Sequence, residues 1–253
     1  MIPYSKNNKA RHAQKKQSLL NFLKEETYSD LQTLMSILKI KNRCTMSRFL
    51  PSMIEQGLLQ KYAFPLPGNK SISIWGITRE GLVYAQALDD PLEYKHFQPS
   101  KIRLSSLHHH LENQKVKLRL ESLGCTGWLN GDKKQLGAKF PLKHRPDGYI
   151  KLTNNMPIVI ETELFIKSKL RYKEIILHHL LARNKKQWYY VLYVMPDLNK
   201  KAALQRIFNS VDHVIYQGRK LDLDNDHRNI FKIHTLEEVQ TLKLTEIFGA
   251  ATR

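Results

Sequence analysis

The chain has 253 residues, and its 41 Lys and Arg against 23 Asp and Glu give a formal net charge of +18. Such a balance points to a polyanionic partner, either nucleic acid or an anionic membrane surface. No apolar run approaches the roughly 20 residues of a membrane span, the polar start is no signal peptide, and Cys44 and Cys125 lack the CxxC spacing of a zinc site or a disulfide framework. The expectation is a soluble cytoplasmic protein with no membrane partner.

In chain order, a basic leader from Lys6 to Lys16 runs into a helix ending near Lys24. Thr27 or Ser29 can cap a second helix carrying Leu31, Leu34, Met35 and Leu38 at helical spacing. Thr45 or Ser47 starts a third, with Phe49, Leu50, Ile54 and Leu58 on its buried side and Pro51 in its first turn, where a missing N–H costs little. Gly57 closes it. Leu58 to Phe64 and Ile72 to Ile77 read as strands around a Pro65 to Asn69 turn, and Thr78 caps a helix from Arg79 to Leu88.

Two short helices, a basic third one and a hairpin resemble a winged helix-turn-helix over residues 1–90. The resemblance implies that Asn42, Arg43, Ser47 and Arg48 face the major groove of DNA while Lys61, Asn69 and Lys70 reach phosphates. A small helical bundle with a hairpin is the plainer alternative. Residues 91–103, with two prolines and mixed polarity, read as a linker.

Beyond it, residues 104–253 form a second expected domain. A helix from Leu104 to Leu123 ends at Gly124, then come a strand near Thr126 to Leu129, a polar turn from Asn130 to Lys134 and two further strands. A helix from Lys167 to about Ala182, a strand Trp188 to Met195, a helix Lys200 to Phe208 and a strand His213 to Tyr216 follow. The order suits an α+β or α/β domain, a mixed sheet flanked by helices. Trp188 to Met195 is apolar on both faces, as a central covered strand is.

The two strands after the polar turn carry the chemistry. Asp147 sits in His144-Arg145-Pro146-Asp147-Gly148, where a strand meets a tight turn. Glu161 and Glu163 follow Ile158-Val159-Ile160 and, two apart in a strand, point to one face. Three carboxylates so placed make an oxygen-rich pocket of the kind Mg²⁺ or Mn²⁺ prefers, and like charges that close are costly without a cation. Pairing of the acids with Lys167, Lys169 or Arg171 on the surface is the alternative.

Pro146-Asp147 and Glu161-Thr162-Glu163 resemble the PD-(D/E)xK nuclease core, with Glu163 where that motif has Lys. The longer string, residues 144–172, resembles the MOBC family of plasmid relaxases, related to restriction endonucleases. The resemblance implies metal-dependent, site- and strand-specific nicking of plasmid DNA at a transfer origin, with a relaxosome accessory mobilization protein and a type IV coupling protein as partners. Carried over by position, Asp147, Glu161 and Glu163 hold Mg²⁺ or Mn²⁺. Lys169 or, second, Lys167 replaces the motif lysine, and His144, Arg145 and Arg171 contact DNA. A non-catalytic DNA-binding accessory or regulatory protein with a degenerate nuclease-like domain is the rival reading, and an ordinary double-strand-cutting endonuclease is a third.

Other candidates are weaker. Tyr172, close to the acids, invites assignment as a covalent nucleophile, against a packing role with its hydroxyl at the rim. Three consecutive histidines, His108 to His110, stand about 100° apart on a helix and cannot converge on one ion. His110 or His108 can still face the cleft from the first helix of the second domain, with a capping or packing role for the others. The adjacent pair His178 and His179 reads as surface or phosphate contacts rather than ligands.

Overall fold

The computed structural model describes residues 4–86, 94–140 and 143–249. The end of the expected helix Arg79 to Leu88 and the start of the expected linker fall outside them. Two compact units divide the chain at Gln114 and Lys115.

The first unit runs α1 (Tyr4–Glu26), β1 (Tyr28–Asp30), α2 (Leu31–Ile37), α3 (Arg43–Glu55), β2 (Leu59–Leu66), β3 (Lys70–Ile77) and α4 (Arg79–Ala85), with the start of α5 (Leu104–Ser122). The three strands form one antiparallel sheet, ordered β1-β3-β2. Several expected boundaries shift because a different side chain does the capping. Asp30, not Thr27 or Ser29, caps α2 by accepting from the Thr33 N–H. Asn42 caps α3 three to five residues before the expected start, which moves Pro51 from the first turn to the helix interior. There its ring removes one helical hydrogen bond. Thr78 caps α4 through the Gly81 N–H, as its sequence position predicts.

The stretch expected to be a linker adds the buried Phe97 and the partly buried Ile102 to the core of the first unit. Phe97 is buried with Phe64, Ile74, Leu107 and Leu111, its N–H donates to the Ile77 carbonyl, and Gln60 Nε2 donates to its carbonyl oxygen at 2.9 Å. Gly76 has no side chain because a Cβ there would run into the Phe97 ring. The division after Gln114, later than 91–103, follows from this packing.

The second unit holds the rest of α5, then β4 (Thr126–Asn130), α6 (Lys134–Lys139), β5 (Gly148–Lys151), β6 (Pro157–Thr162), α7 (Lys169–Asn184), β7 (Tyr190–Met195) and α8 (Leu198–Ser210). After these come the hairpin β8 (His213–Tyr216) and β9 (Arg219–Asp222), α9 (Asn225–Asn229), β10 (Phe231–Thr235), α10 (Leu236–Thr241) and α11 (Leu244–Phe248). Five strands form a mixed sheet, ordered β10-β7-β6-β5-β4. The β4-β5 and β5-β6 pairs are antiparallel, and the β6-β7 and β7-β10 pairs are parallel. The expected mixed sheet flanked by helices is the observed one. Part of the expected polar turn after β4 is α6, and everything from β9 onward adds to what the sequence suggested.

Both faces of the sheet are buried. Val159, Val191 and Tyr193 face the cluster built with α7 and α8, while Ile158, Ile160, Leu192 and Val194 face the one built with α5, α10 and α11. Each such aliphatic side chain stabilises by about 1.5–3 kcal/mol on burial. The alternation along β6 puts Glu161 on the α7 side, with Val159.

Candidate active site

The site grows from the end of β6. Glu161, the last strand residue but one, pairs with Tyr193 across β7 and is buried. Above it lies α7, whose buried residues Tyr172, Ile175, Ile176, His179 and Leu180 recur at i, i+3, i+4, i+7 and i+8, one apolar stripe. His179 belongs to that stripe and reaches Glu161: its Nε2 is 3.1 Å from Oε1. The same oxygen takes His144 Nε2 at 2.7 Å, from the loop before β5. The two imidazole rings meet edge to face at 5.4 Å between centroids.

His144, Glu161 and His179 are the one set among the described residues whose donor atoms all lie within 4.8 Å of one another in a metal-binding arrangement. Two imidazole nitrogens and a carboxylate oxygen suit Mn²⁺, Fe²⁺ or Zn²⁺ better than Mg²⁺, which prefers oxygen and retains its waters. Nitrogen–oxygen separations of 2.7 and 3.1 Å fit this use, because neighbouring donors about 2.1 Å from a common ion stand about 3 Å apart.

The expected trio of carboxylates is not this set. Asp147, just before β5, uses its Oδ2 to accept the Thr162 N–H at 2.7 Å, while its own N–H donates to the Ile160 carbonyl. It clamps the ends of β5 and β6 together beside Glu161. Its backbone is itself fixed by Gly131, whose N–H donates to the Asp147 carbonyl and whose missing Cβ leaves room for the Pro146 carbonyl oxygen. Glu163, on the α7 side like Glu161, takes the Tyr172 hydroxyl at 3.1 Å and the Lys167 ammonium.

Lys167 is therefore the lysine beside the acids, from the loop before α7. Lys169, the first expectation, turns the other way and donates to the Ser210 carbonyl at 2.7 Å. The cause is Ser168, which caps α7 and starts the helix at Lys169. Arg171 is exposed and paired with Glu174, and Arg145 is exposed. Tyr172 is fully buried, receives the Lys167 N–H and donates to Glu163. Burial and the nearby Glu163 charge push its hydroxyl far up, so the ordinary reading of Tyr172 as a packed residue is the one its surroundings fit.

His110 lies in the first unit, its Nε2 within 2.9 Å of the Glu26 carbonyl oxygen. Of the expected DNA contacts there, Arg43, Arg48, Lys61 and Lys70 are exposed. Asn42 and Ser47 are exposed too, but they spend side-chain bonds within α3. Asn42 accepts from the Cys44 N–H, and the Ser47 hydroxyl donates to the Cys44 carbonyl.

The electrostatics divide by burial. Desolvation alone raises a buried carboxyl, yet the hydrogen bonds from His144 and His179 outweigh it at Glu161 and hold that group down to about 2. Burial pulls His179 the opposite way, below the ordinary imidazole range, despite its bond to Glu161. A fully enclosed ring is governed by its desolvation, so at neutral pH a neutral His179 gives an N–H to an ionised Glu161. Its Nδ1 then carries a buried lone pair without a partner. Burial raises Glu163, with Lys167 offsetting part of the effect. The Tyr193 hydroxyl, also buried without a hydrogen-bond partner, is raised by burial and by the charges of Glu161 and Glu163. Against these geometries, no protein family, curated protein or solved structure matches this chain.

Proposed function

We propose that the protein is a metal-dependent DNA endonuclease that nicks one strand, in the manner of the plasmid relaxases that residues 144–172 resemble. The observation that carries the reading is the convergence of His144, Glu161 and His179 beside the Lys167–Glu163 pair, at one strand end of a chain with net charge +18. Two imidazole nitrogens, one from a loop and one from a helix, meet a single oxygen of a buried glutamate, a mixed nitrogen and oxygen donor set that suits a transition metal.

In this reading His144, Glu161 and His179 hold the ion, and Mn²⁺ fits the donor set better than Mg²⁺. A bound divalent ion supplies an acidified water and polarises a phosphate oxygen. Asp147 keeps Glu161 in register by holding the Thr162 amide. Lys167, held by Glu163, presents an ammonium that stabilises charge on the phosphate in the transition state. Arg145 offers a cation at the surface next to His144 for a neighbouring phosphate. The first unit, read as a winged helix-turn-helix, brings duplex DNA through Arg43 and Arg48 on α3 and Lys61 and Lys70 on the β2-β3 hairpin.

The rival, a DNA-binding protein with a silent nuclease-like domain, draws on Glu163 standing where the motif has Lys. Lys167 on that same Glu163 favours the catalytic reading. Supercoiled plasmid carrying the cognate origin, incubated with Mn²⁺ or EDTA, separates them. Open-circular product with Mn²⁺ alone supports nicking, linear product indicates double-strand cutting, and unchanged supercoiled DNA in both lanes favours the silent domain.

A further inference from the structure

We propose that Phe165 is a stacking platform for an unpaired base, so that the strand to be cut is held locally single-stranded at the site. The inference rests on the nuclease reading above and adds the form of DNA that the site takes.

The segment from Glu163 to Lys167 is tied at both ends. The Glu163 N–H donates to the Val194 carbonyl, the Lys167 ammonium returns to the Glu163 carboxylate, and the Lys167 N–H reaches the Tyr172 hydroxyl. Ile166 packs against the core of the sheet. A loop closed this way has little freedom at its tip, yet the tip carries Phe165, which is 70% exposed. Leu170, in the first turn of α7, is 71% exposed. Single exposed apolar residues are ordinary on a surface. Phe165 differs because it stands two residues from both Glu163 and Lys167, on a loop whose anchors are the site itself.

The surroundings choose the occupant. Lys167 is 40% exposed, and Arg145 and Arg171 are exposed. An exposed aromatic face two residues from a partly exposed lysine, in a chain of net charge +18, fits a nucleic-acid strand, whose bases stack and whose phosphates pair, better than an apolar peptide. Base stacking on an aromatic side chain tolerates any sequence, and its loss weakens binding by about fivefold to a hundredfold. Bases inside a duplex stack on each other and leave no face for Phe165.

The test uses the full chain without divalent ion, so that no strand is cut. A single-stranded oligonucleotide carrying 2-aminopurine, and the same sequence as duplex, are titrated with wild type, Phe165→Ala and Phe165→Trp. The expected result is quenching of the single strand by wild type and by Phe165→Trp. Phe165→Ala should lose the quenching and weaken single-strand binding by about fivefold or more, with duplex affinity within about twofold. Because the side chain is exposed, Phe165→Ala keeps the fold, checked by circular dichroism. Equal single-strand affinity and quenching for wild type and Phe165→Ala overturns the proposal, as does a wild type that binds duplex only. Nicking by wild type with Mn²⁺ is scored separately. Nicking with a silent Phe165→Ala rejects the stacking alone, and stacking without nicking rejects the nuclease reading alone.

Discussion

His179 Nε2 lies 3.1 Å from Glu161 Oε1, joining the buried stripe of α7 to the end of β6. This contact turns a helix that merely covers a sheet into part of a site. His179→Ala leaves a buried carboxylate with one donor fewer and a void beneath α7. Unfolding free energy should fall by about 2–4 kcal/mol, read from urea denaturation at pH 7. Calorimetry should show Mn²⁺ binding lost in the same variant. Undiminished Mn²⁺ binding would remove His179 from the metal site.

The pH dependence follows from two depressed groups. Glu161, held at about 2 against an ordinary 4.5, contributes stability that is present above 4.5 and lost as pH falls through 2. His179 is neutral when folded and takes a proton at 6.5 when unfolded, so stability also declines as pH falls below 6.5 toward its lower folded value. Urea midpoints should therefore drop between pH 7.5 and 5.5, and again below 4.5. His179→Gln should shallow the first decline, with His178 and His234 leaving a remainder because they share its direction. Glu161→Gln should shallow the second, with Asp197, Asp224 and Glu238 leaving a remainder because they share its direction.

The lysines can be told apart. Lys167→Ala removes the ammonium from Glu163 and should slow single-turnover nicking by about a hundredfold or more. Lys169→Ala loses only a bond to the Ser210 carbonyl and should nick within about twofold of wild type. Equal losses in the two variants would mean that neither acts on the phosphate.

Gly131→Ala tests the Asp147 clamp without altering a charged side chain. The new methyl would meet the Pro146 carbonyl oxygen and the Asp147 backbone, neither of which can yield like a flexible side chain. Nicking should fall by about tenfold or more, and stability by about 1–3 kcal/mol. Wild-type rates would show that the position of Asp147 is unimportant.

Much of the second unit was legible in the sequence, because a strand buried on both faces, such as β7, has a run of apolar residues no surface strand can carry. Helix starts were less legible. Asp30 and Asn42 cap as well as the Ser and Thr residues beside them, and only the fold decides which side chain meets a free N–H. Of the three expected acids only Glu161 lies in the cluster, and its two partners there were not read as ligands. His144 and His179 are 35 positions apart, and α7 must lie over β6 before they meet at Glu161. A signal for His179 was nonetheless present: it falls in register with Tyr172, Ile175 and Ile176, whereas its neighbour His178 does not. Lys169 misled because a helix start at Ser168 reverses which of the two lysines faces the strand end.

DNA grip by the first unit should be electrostatic and countable. Arg43→Ala and Arg48→Ala should each weaken duplex binding and reduce the slope of log affinity against log salt by about 0.9 for each phosphate no longer neutralised. Unchanged slopes would place the duplex elsewhere.

Glu161 stands at the middle of the proposed metal centre, so its loss should abolish cutting. Wild type and Glu161→Gln, both confirmed folded, are compared for single-turnover conversion of supercoiled origin plasmid to open circles in Mn²⁺. Open circles are expected from wild type and none above the EDTA background from Glu161→Gln. Nicking by Glu161→Gln at the wild-type rate would contradict a metal centre there.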